Sequence, residues 1–217
     1  MQNKKALLIL NGELKNSFDL ENLIKSKNYD YIICCDGGFN HLYKDEKLIV
    51  EPHYIVGDLD SVDKDLLDKF DDIEIKRFKS EKNETDTELA ILLCESLKCK
   101  EIDLVGALGN RIDHTISNIN ILYYIRKLNI YPRILSGSET IYLIKDENVS
   151  FNIKKDSTVS IIPINGDLKN LTLKGFKYDV CNINIDFSSP IGMSNIIKSD
   201  KVFIEIKNGS LLFIVNN

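Results

Sequence analysis

Tyr54-Ile55-Val56-Gly57-Asp58-Leu59-Asp60-Ser61 sets an apolar run against a glycine and then places two carboxylates one residue apart. A run this short and this apolar, stopped by a glycine, reads as a strand buried on both faces, the kind found in parallel sheets. An extended backbone points residues two apart in the same direction, so Asp58 and Asp60 can reach one ion. The pattern recurs. Residues 31–35 (YIICC) run into Asp36-Gly37-Gly38, a strand at 73–78 precedes Asn83-Glu84-Thr85-Asp86, and one at 102–105 precedes Gly109-Asn110-Arg111-Ile112-Asp113-His114. In an open α/β sheet the carboxyl ends of parallel strands share one edge, so these four clusters are expected to meet in one crevice. Two unit charges ~4 Å apart repel by ~4 kcal/mol at an effective dielectric of ~20. A bound divalent cation removes that repulsion.

Working outward, the first ~135 residues alternate strand-like and helix-like segments, as repeated βα units do. The run 5–10 (KALLIL) is a further strand, a helix is expected from Asp86 to about Cys99 with Ala90, Leu93, Cys94 and Leu97 as its apolar stripe, and another follows Asp113 with Ile121, Leu122, Ile125 and Leu128 inward. After Pro132 the period changes to two. Val149, Phe151 and Ile153 alternate with polar residues, as do Cys181, Ile183, Ile185 and Phe187, and further strands are expected at 158–164, 171–174, 201–207 and 211–215. Asn165-Gly166-Asp167 and Asn208-Gly209 read as turns between strands. The expected fold class is α/β: an N-terminal mostly parallel sheet with flanking helices over residues 1–138, then a C-terminal antiparallel β-sandwich over 139–217.

Composition narrows the function. With 33 acidic against 28 basic residues in 217 and a net charge of -5, the chain lacks the broad basic surface of a nucleic-acid binder. No apolar run approaches the ~20 residues needed to span a bilayer, and no basic segment with an apolar stretch opens the chain, so a cytoplasmic protein without membrane contact is expected. Five cysteines without a CxxC pair read as buried free thiols rather than metal ligands.

Hard carboxylate oxygens select Mg²⁺ or Ca²⁺, and Mg²⁺ binds substrate phosphates through one or two carboxylates while keeping waters. Alone, Asp58 to Ser61 would read equally as a solvated acidic turn in which Asp58 or Ser61 caps the next helix, and Thr85 or Asp86 as an N-cap. Asp86 is also placed to add a third carboxylate. Asp36 could be a fourth polar anchor, with Gly37 and Gly38 letting a ligand approach the backbone. Arg111, one of only four arginines, offers a rigid donor fork matched to phosphate, or else forms a surface pair with Asp113. There is no GxxxxGK[ST] loop and no GxGxxG after the first strand, so phosphates would be held by metal, Arg111, Lys82 and loop amides. His41 and His53 read as structural.

Taken in order, CCDGGFNHL (34–42), PHYIVGDLDSV (52–62), EKNETDTELA (81–90), GALGNRIDHTISNINIL (106–122) and GMSNII (192–197) resemble the thiamine pyrophosphokinase family. The resemblance spans nearly the whole chain. It implies an N-terminal α/β domain, a C-terminal β-sandwich, a homodimer with active sites at the subunit interface, and transfer of a pyrophosphoryl group from ATP to the hydroxyl of thiamine with release of AMP. It implies Mg²⁺ held by Asp58, Asp60 and Asp86. Asp36, Gly37, Ser61, Asn83, Thr85, Arg111 and His114 would surround ATP, Ser194 and Asn195 would lie near thiamine, and Asp113 or Asp86 would accept the hydroxyl proton. Two departures stand out: the chain has no tryptophan to stack on thiamine, and Lys82 stands where glutamine is common. Rival expectations are a related Mg-dependent diphosphokinase acting on another alcohol, such as a hydroxymethylpterin, and a non-catalytic protein that binds nucleotide or thiamine.

Overall fold

The run that opens the chain forms β1 (Lys4–Ile9), whose last four residues are completely buried. In a computed structural model that describes residues 3–15, 18–44, 47–62, 74–77, 85–109 and 111–216, the chain forms two compact units, Met1–Gly137 and Ser138–Asn217. In the first, β1 is flanked on one side by β2 (Tyr31–Cys35), β5 (Tyr54–Gly57) and β6 (Glu74–Arg77), and on the other by β7 (Cys99–Val105) and β8 (Tyr131–Leu135). A small hairpin of β3 (Tyr43–Lys44) and β4 (Lys47–Leu48) lies apart. Each of the five pairings in the order β8-β7-β1-β2-β5-β6 is parallel. Burial on both faces explains why β1, β2, β5 and the last part of β7 read as continuous apolar runs. The chain walks outward from β1 to β6, then returns to the far side of β1 as β7. The strand order therefore reverses at the β1–β7 pair, and a crevice at the carboxyl ends beside such a reversal is the usual ligand site of this architecture.

Three α-helices connect these strands among the described residues. In α1 (Leu20–Lys27) the Asp19 carboxylate accepts from Asn22 N at 2.9 Å. α2 (Asp86–Ser96) opens on a capping box: Thr85 Oγ1 accepts from Glu88 N at 3.2 Å, and Thr85 N donates to Glu88 Oε2 at 2.8 Å. Its buried positions are Ala90, Ile91 and Cys94, so Ile91 enters the core while the expected Leu93 and Leu97 are only partly covered. α3 (Ile112–Lys127) buries Leu122 and Ile125. Below the site, the fully buried Asp103 carboxylate accepts from Tyr29 Oη at 2.7 Å and Arg133 Nε at 2.6 Å, with Lys5 Nζ at 3.3 Å. A buried carboxylate is tolerable only with such partners.

The second unit contains β9 (Glu139–Lys145), β10 (Asn148–Asn152), β11 (Thr158–Lys174), β12 (Val180–Ile185), β13 (Asn195–Ile196), β14 (Lys201–Glu205) and β15 (Asn208–Asn216), and every pairing among them is antiparallel. The expected strands at 158–164 and 171–174 are one strand, β11. Asn165 (φ 65°) and Gly166 (φ 124°) bend it, its first part pairs β15, and its last part pairs β14 and β12. The Asn-Gly signal thus marks a corner where one strand turns between pairing partners, a use that bends and bulges commonly serve. Phe213, Phe176, Leu171 and Ile204 lie in the core of this unit.

Candidate active site

The carboxylate-bearing turn after β5 is built differently from an extended strand. Leu59, whose side chain is buried in the first unit's core, has φ 67°, a left-handed value that a bulky residue adopts only when its surroundings impose it. The turn folds back so that Asp60 N donates to Asp58 Oδ1 at 3.2 Å, and Ser61 Oγ donates to Asp60 Oδ1 at 2.9 Å. The two carboxylates converge through a turn anchored by leucine, where an extended backbone was expected.

Asp36 completes a trio. It follows β2 with φ 47°, is half-buried, and its Oδ1 accepts from Ser61 N at 3.4 Å. Ligand atoms of Asp36, Asp58 and Asp60 all lie within 4.8 Å of one another. Gly57 sits behind them with φ 150°, and a Cβ there would lie 3.1 Å from Asp36 Cβ and 3.3 Å from Asp86 Cγ. The absence of a side chain at Gly57 therefore lets Asp36 and Asp86 close in from either side. Asp58 and Asp60 are exposed, which leaves the outer face of the trio open to water or phosphate. Three hard anionic donors with an open face fit a hard divalent cation. Burial pushes the neighbouring Cys35 thiol well up, with Asp86 and Asp36 adding to the effect, so it stays a neutral wall of the site.

Arg111 and Asp113 form a bidentate pair, Nη2 to Oδ2 at 2.6 Å and Nε to Oδ1 at 3.2 Å, with most of both side chains in solvent. Arg111 holds the Asp113 carboxyl below the usual carboxylate range, and His114 N adds to this by donating to Oδ1 at 3.0 Å. The loop Gly106–Gly109 is fastened to α3 by Asn118 Nδ2 donating to Ala107 O at 2.8 Å and Gly109 N donating to Thr115 Oγ1 at 3.3 Å. Asp36, Ser61, Thr85, Asp86, Arg111 and His114 line one cavity of about 610 Å³. Gly37 lies buried beside it, facing the Asn11 side chain. Asn83, Lys82 and Asn110 lie outside the described residues.

The cavity has a wall that the motif reading missed, Asn11-Gly12-Glu13 at the end of β1. The strand-then-turn rule that picked out the other clusters would have found it after KALLIL. In the second unit, Ser194 (φ 54°) is exposed, and its N donates to Ser160 Oγ at 3.2 Å. Asn195 is buried: its Oδ1 accepts from Tyr178 N at 3.1 Å and Ile196 N at 2.8 Å, and its Nδ2 donates to Tyr178 O at 3.0 Å. Asn195 thereby ties down the Ser194 turn and the backbone under the exposed Tyr178 ring.

Residues 20–132 match the family described as thiamin pyrophosphokinase, catalytic domain, a span that holds all four acidic clusters. The chain belongs to the thiamin pyrophosphokinase family. Residues 140–211 match the companion vitamin B1 binding domain of that family. The thiamine pyrophosphokinase of Bacillus subtilis is 31% identical over 140 residues, covering 63% of this chain and 64% of that protein. Thiamin pyrophosphokinase 1 of Caenorhabditis elegans is 29% identical over 220 residues, 94% of this chain and 86% of that one. The crystal structure of the Bacillus subtilis enzyme superposes with a TM-score of 0.86 at 23% identity, covering 99% of both chains, which establishes the shared fold. As a thiamin pyrophosphokinase, the chain is an ATP-dependent transferase that moves a pyrophosphoryl group to thiamine, a kinase reaction of the kind that uses a divalent metal. Among the described residues, no helix is long and apolar enough to cross a membrane.

Proposed function

We propose that the cavity at the carboxyl edge of the first unit is where the pyrophosphoryl group of ATP passes to thiamine, with Asp58 and Asp60 holding Mg²⁺ together with Asp36, and Asp86 beside them. One observation carries this reading: three carboxylates within 4.8 Å of one another, with Asp36 lining the same cavity as Arg111. Bound there, Mg²⁺ supplies positive charge against the phosphate oxygens of ATP. Arg111 supplies a planar fork for another phosphate edge, and Asp113 orients it from behind. Ser61, Thr85, His114 and the backbone at Gly37 form the remaining nucleotide surroundings, and the family resemblance adds Asn83, which lies outside the described residues. Catalysis on such a site is positioning and charge stabilisation.

The thiamine hydroxyl oxygen attacks the β-phosphorus in line, the bond from that phosphorus to the α–β bridging oxygen breaks, and AMP leaves with its electron pair. The hydroxyl proton goes to Asp86. Asp113 is the poorer base, because its bond to Arg111 keeps it ionised and weakly basic. Ser194, on the turn that Asn195 holds, belongs to the thiamine side, in keeping with the vitamin-binding match of residues 140–211. The protein works as a cytoplasmic homodimer, as the family resemblance implies.

Incubation with ATP, Mg²⁺ and thiamine should yield AMP and thiamine diphosphate. Asp60→Ala should reduce turnover by about 100-fold or more, as loss of a charge-stabilising group does, while the exposed position keeps the melting temperature near that of the parent. Activity equal to the parent would overturn the metal assignment.

A further inference from the structure

His41 has no part in the chemistry above, yet its ring reaches the wall of the nucleotide cavity. It lies in the short 3-10 helix Asp36–Leu42 that follows β2, and its Nε2 lies 2.8 Å from Gly12 O. A carbonyl oxygen only accepts, so Nε2 must carry the hydrogen and donate it. Burial pushes the ring's pKa below the ordinary histidine value, with the Gly12 carbonyl opposing more weakly, so the neutral ring is favoured. Gly12 is gripped from its other side as well. Its N–H donates to Gly106 O at 2.9 Å, and a Cβ on Gly12 would fall 2.1 Å from that oxygen. The Gly12 peptide is thus clamped between the end of β7 and His41. Asn11, Gly12 and Glu13 line the same cavity as Asp36 and Ser61.

We propose that His41 is a positioning residue for the nucleotide: by holding the Gly12 carbonyl it sets the Asn11-Gly12-Glu13 turn, and with it the wall that ATP meets on entering. The inference rests on the cavity being the ATP site. A wall of this kind touches bound nucleotide before and during transfer alike, so losing it raises KM and leaves kcat in place.

Two amides make the test. The Nε2 of glutamine reaches as far as the Nε2 of histidine, whereas the amide of asparagine reaches only as far as Nδ1. His41→Gln should therefore keep the KM for ATP and the Kd for a non-hydrolysable ATP analogue within about twofold of the parent, and His41→Asn should raise both by about fivefold at unchanged kcat, the worth of one neutral hydrogen bond. Indistinguishable KM and Kd values for the two variants, or a fall in kcat at constant KM, would overturn the proposal. Nitrogen-15 spectra of the parent protein provide a readout that needs no variant to fold: the proposal requires a neutral ring with its proton on Nε2, and a proton on Nδ1 alone would contradict it. A parent protein that binds the analogue but forms no AMP would defeat the assigned reaction, and the binding comparison would still decide the role of His41.

Discussion

Leu59 shows how much one apolar side chain contributes to a polar site. Its burial in the core holds a left-handed backbone between two aspartates and aims both outward. Asp58 and Asp60 were readable from residue type and spacing, but the turn that brings them together was not, because φ at Leu59 is imposed by tertiary packing. Asp36 was read as a fourth polar anchor at the same edge, but its place within ligand distance of Asp58 and Asp60 was not readable, since it depends on the bare backbone of Gly57 between Asp36 and Asp86. Arg111 and Asp113 make a second residue-scale case. The Asp113 pKa is depressed in the folded protein, so its pairing with Arg111 is complete above the ordinary carboxylate range and is lost only as pH falls through the lower folded value. The pair is therefore intact throughout a neutral assay. Asp113→Asn should raise the KM for ATP a few-fold with little change in melting temperature, because exposed pairs stabilise folds weakly. A KM equal to the parent's would show that Arg111 needs no such partner.

Elements were the most readable level. Short apolar runs ending in turn residues identified β1, β2, β5 and β7, because strands covered on both faces have no polar positions to alternate with. Thr85 was foreseen as a cap, and the box it makes with Glu88 delivers Asp86 to the site as the first residue of α2. Thr85→Ala should cost about 1 kcal/mol of stability, read from a denaturant midpoint at unchanged slope. A midpoint unmoved would mean the cap is redundant. β11 was split in two on paper because Asn165-Gly166 looks the same whether it ends a strand or bends one. Only pairing partners tell these apart, and single sequences do not contain them. On α2, Ala90 and Cys94 are buried as expected, whereas Ile91 is covered in place of Leu93 and Leu97, because the strands it packs on decide which residues are covered.

At the scale of the whole molecule, the strand order and the reversal at β1–β7 lie beyond local pattern, yet they determine which loops share the cavity. The buried Asp103 cluster ties β1, β7 and β8 together beneath that reversal through Lys5 and Arg133. Asp103→Asn should destabilise the fold by about 3 kcal/mol, since it leaves a partly buried arginine and lysine with only the more exposed Glu101 as counter-charge; a denaturant midpoint equal to the parent's would contradict this. Four of the five thiols are buried and Cys181 is exposed, so titration of the native protein with a disulfide reagent should find one fast thiol, and the other four should react only on unfolding. The central claim, that aspartates from separate strand ends hold one catalytic cation, is met most directly by anomalous scattering from a crystal grown with Mn²⁺ and a non-hydrolysable ATP analogue. The account predicts a peak within coordination distance of Asp36, Asp58 and Asp60 and in contact with the phosphates; a metal bound to the nucleotide but to none of those carboxylates would contradict it.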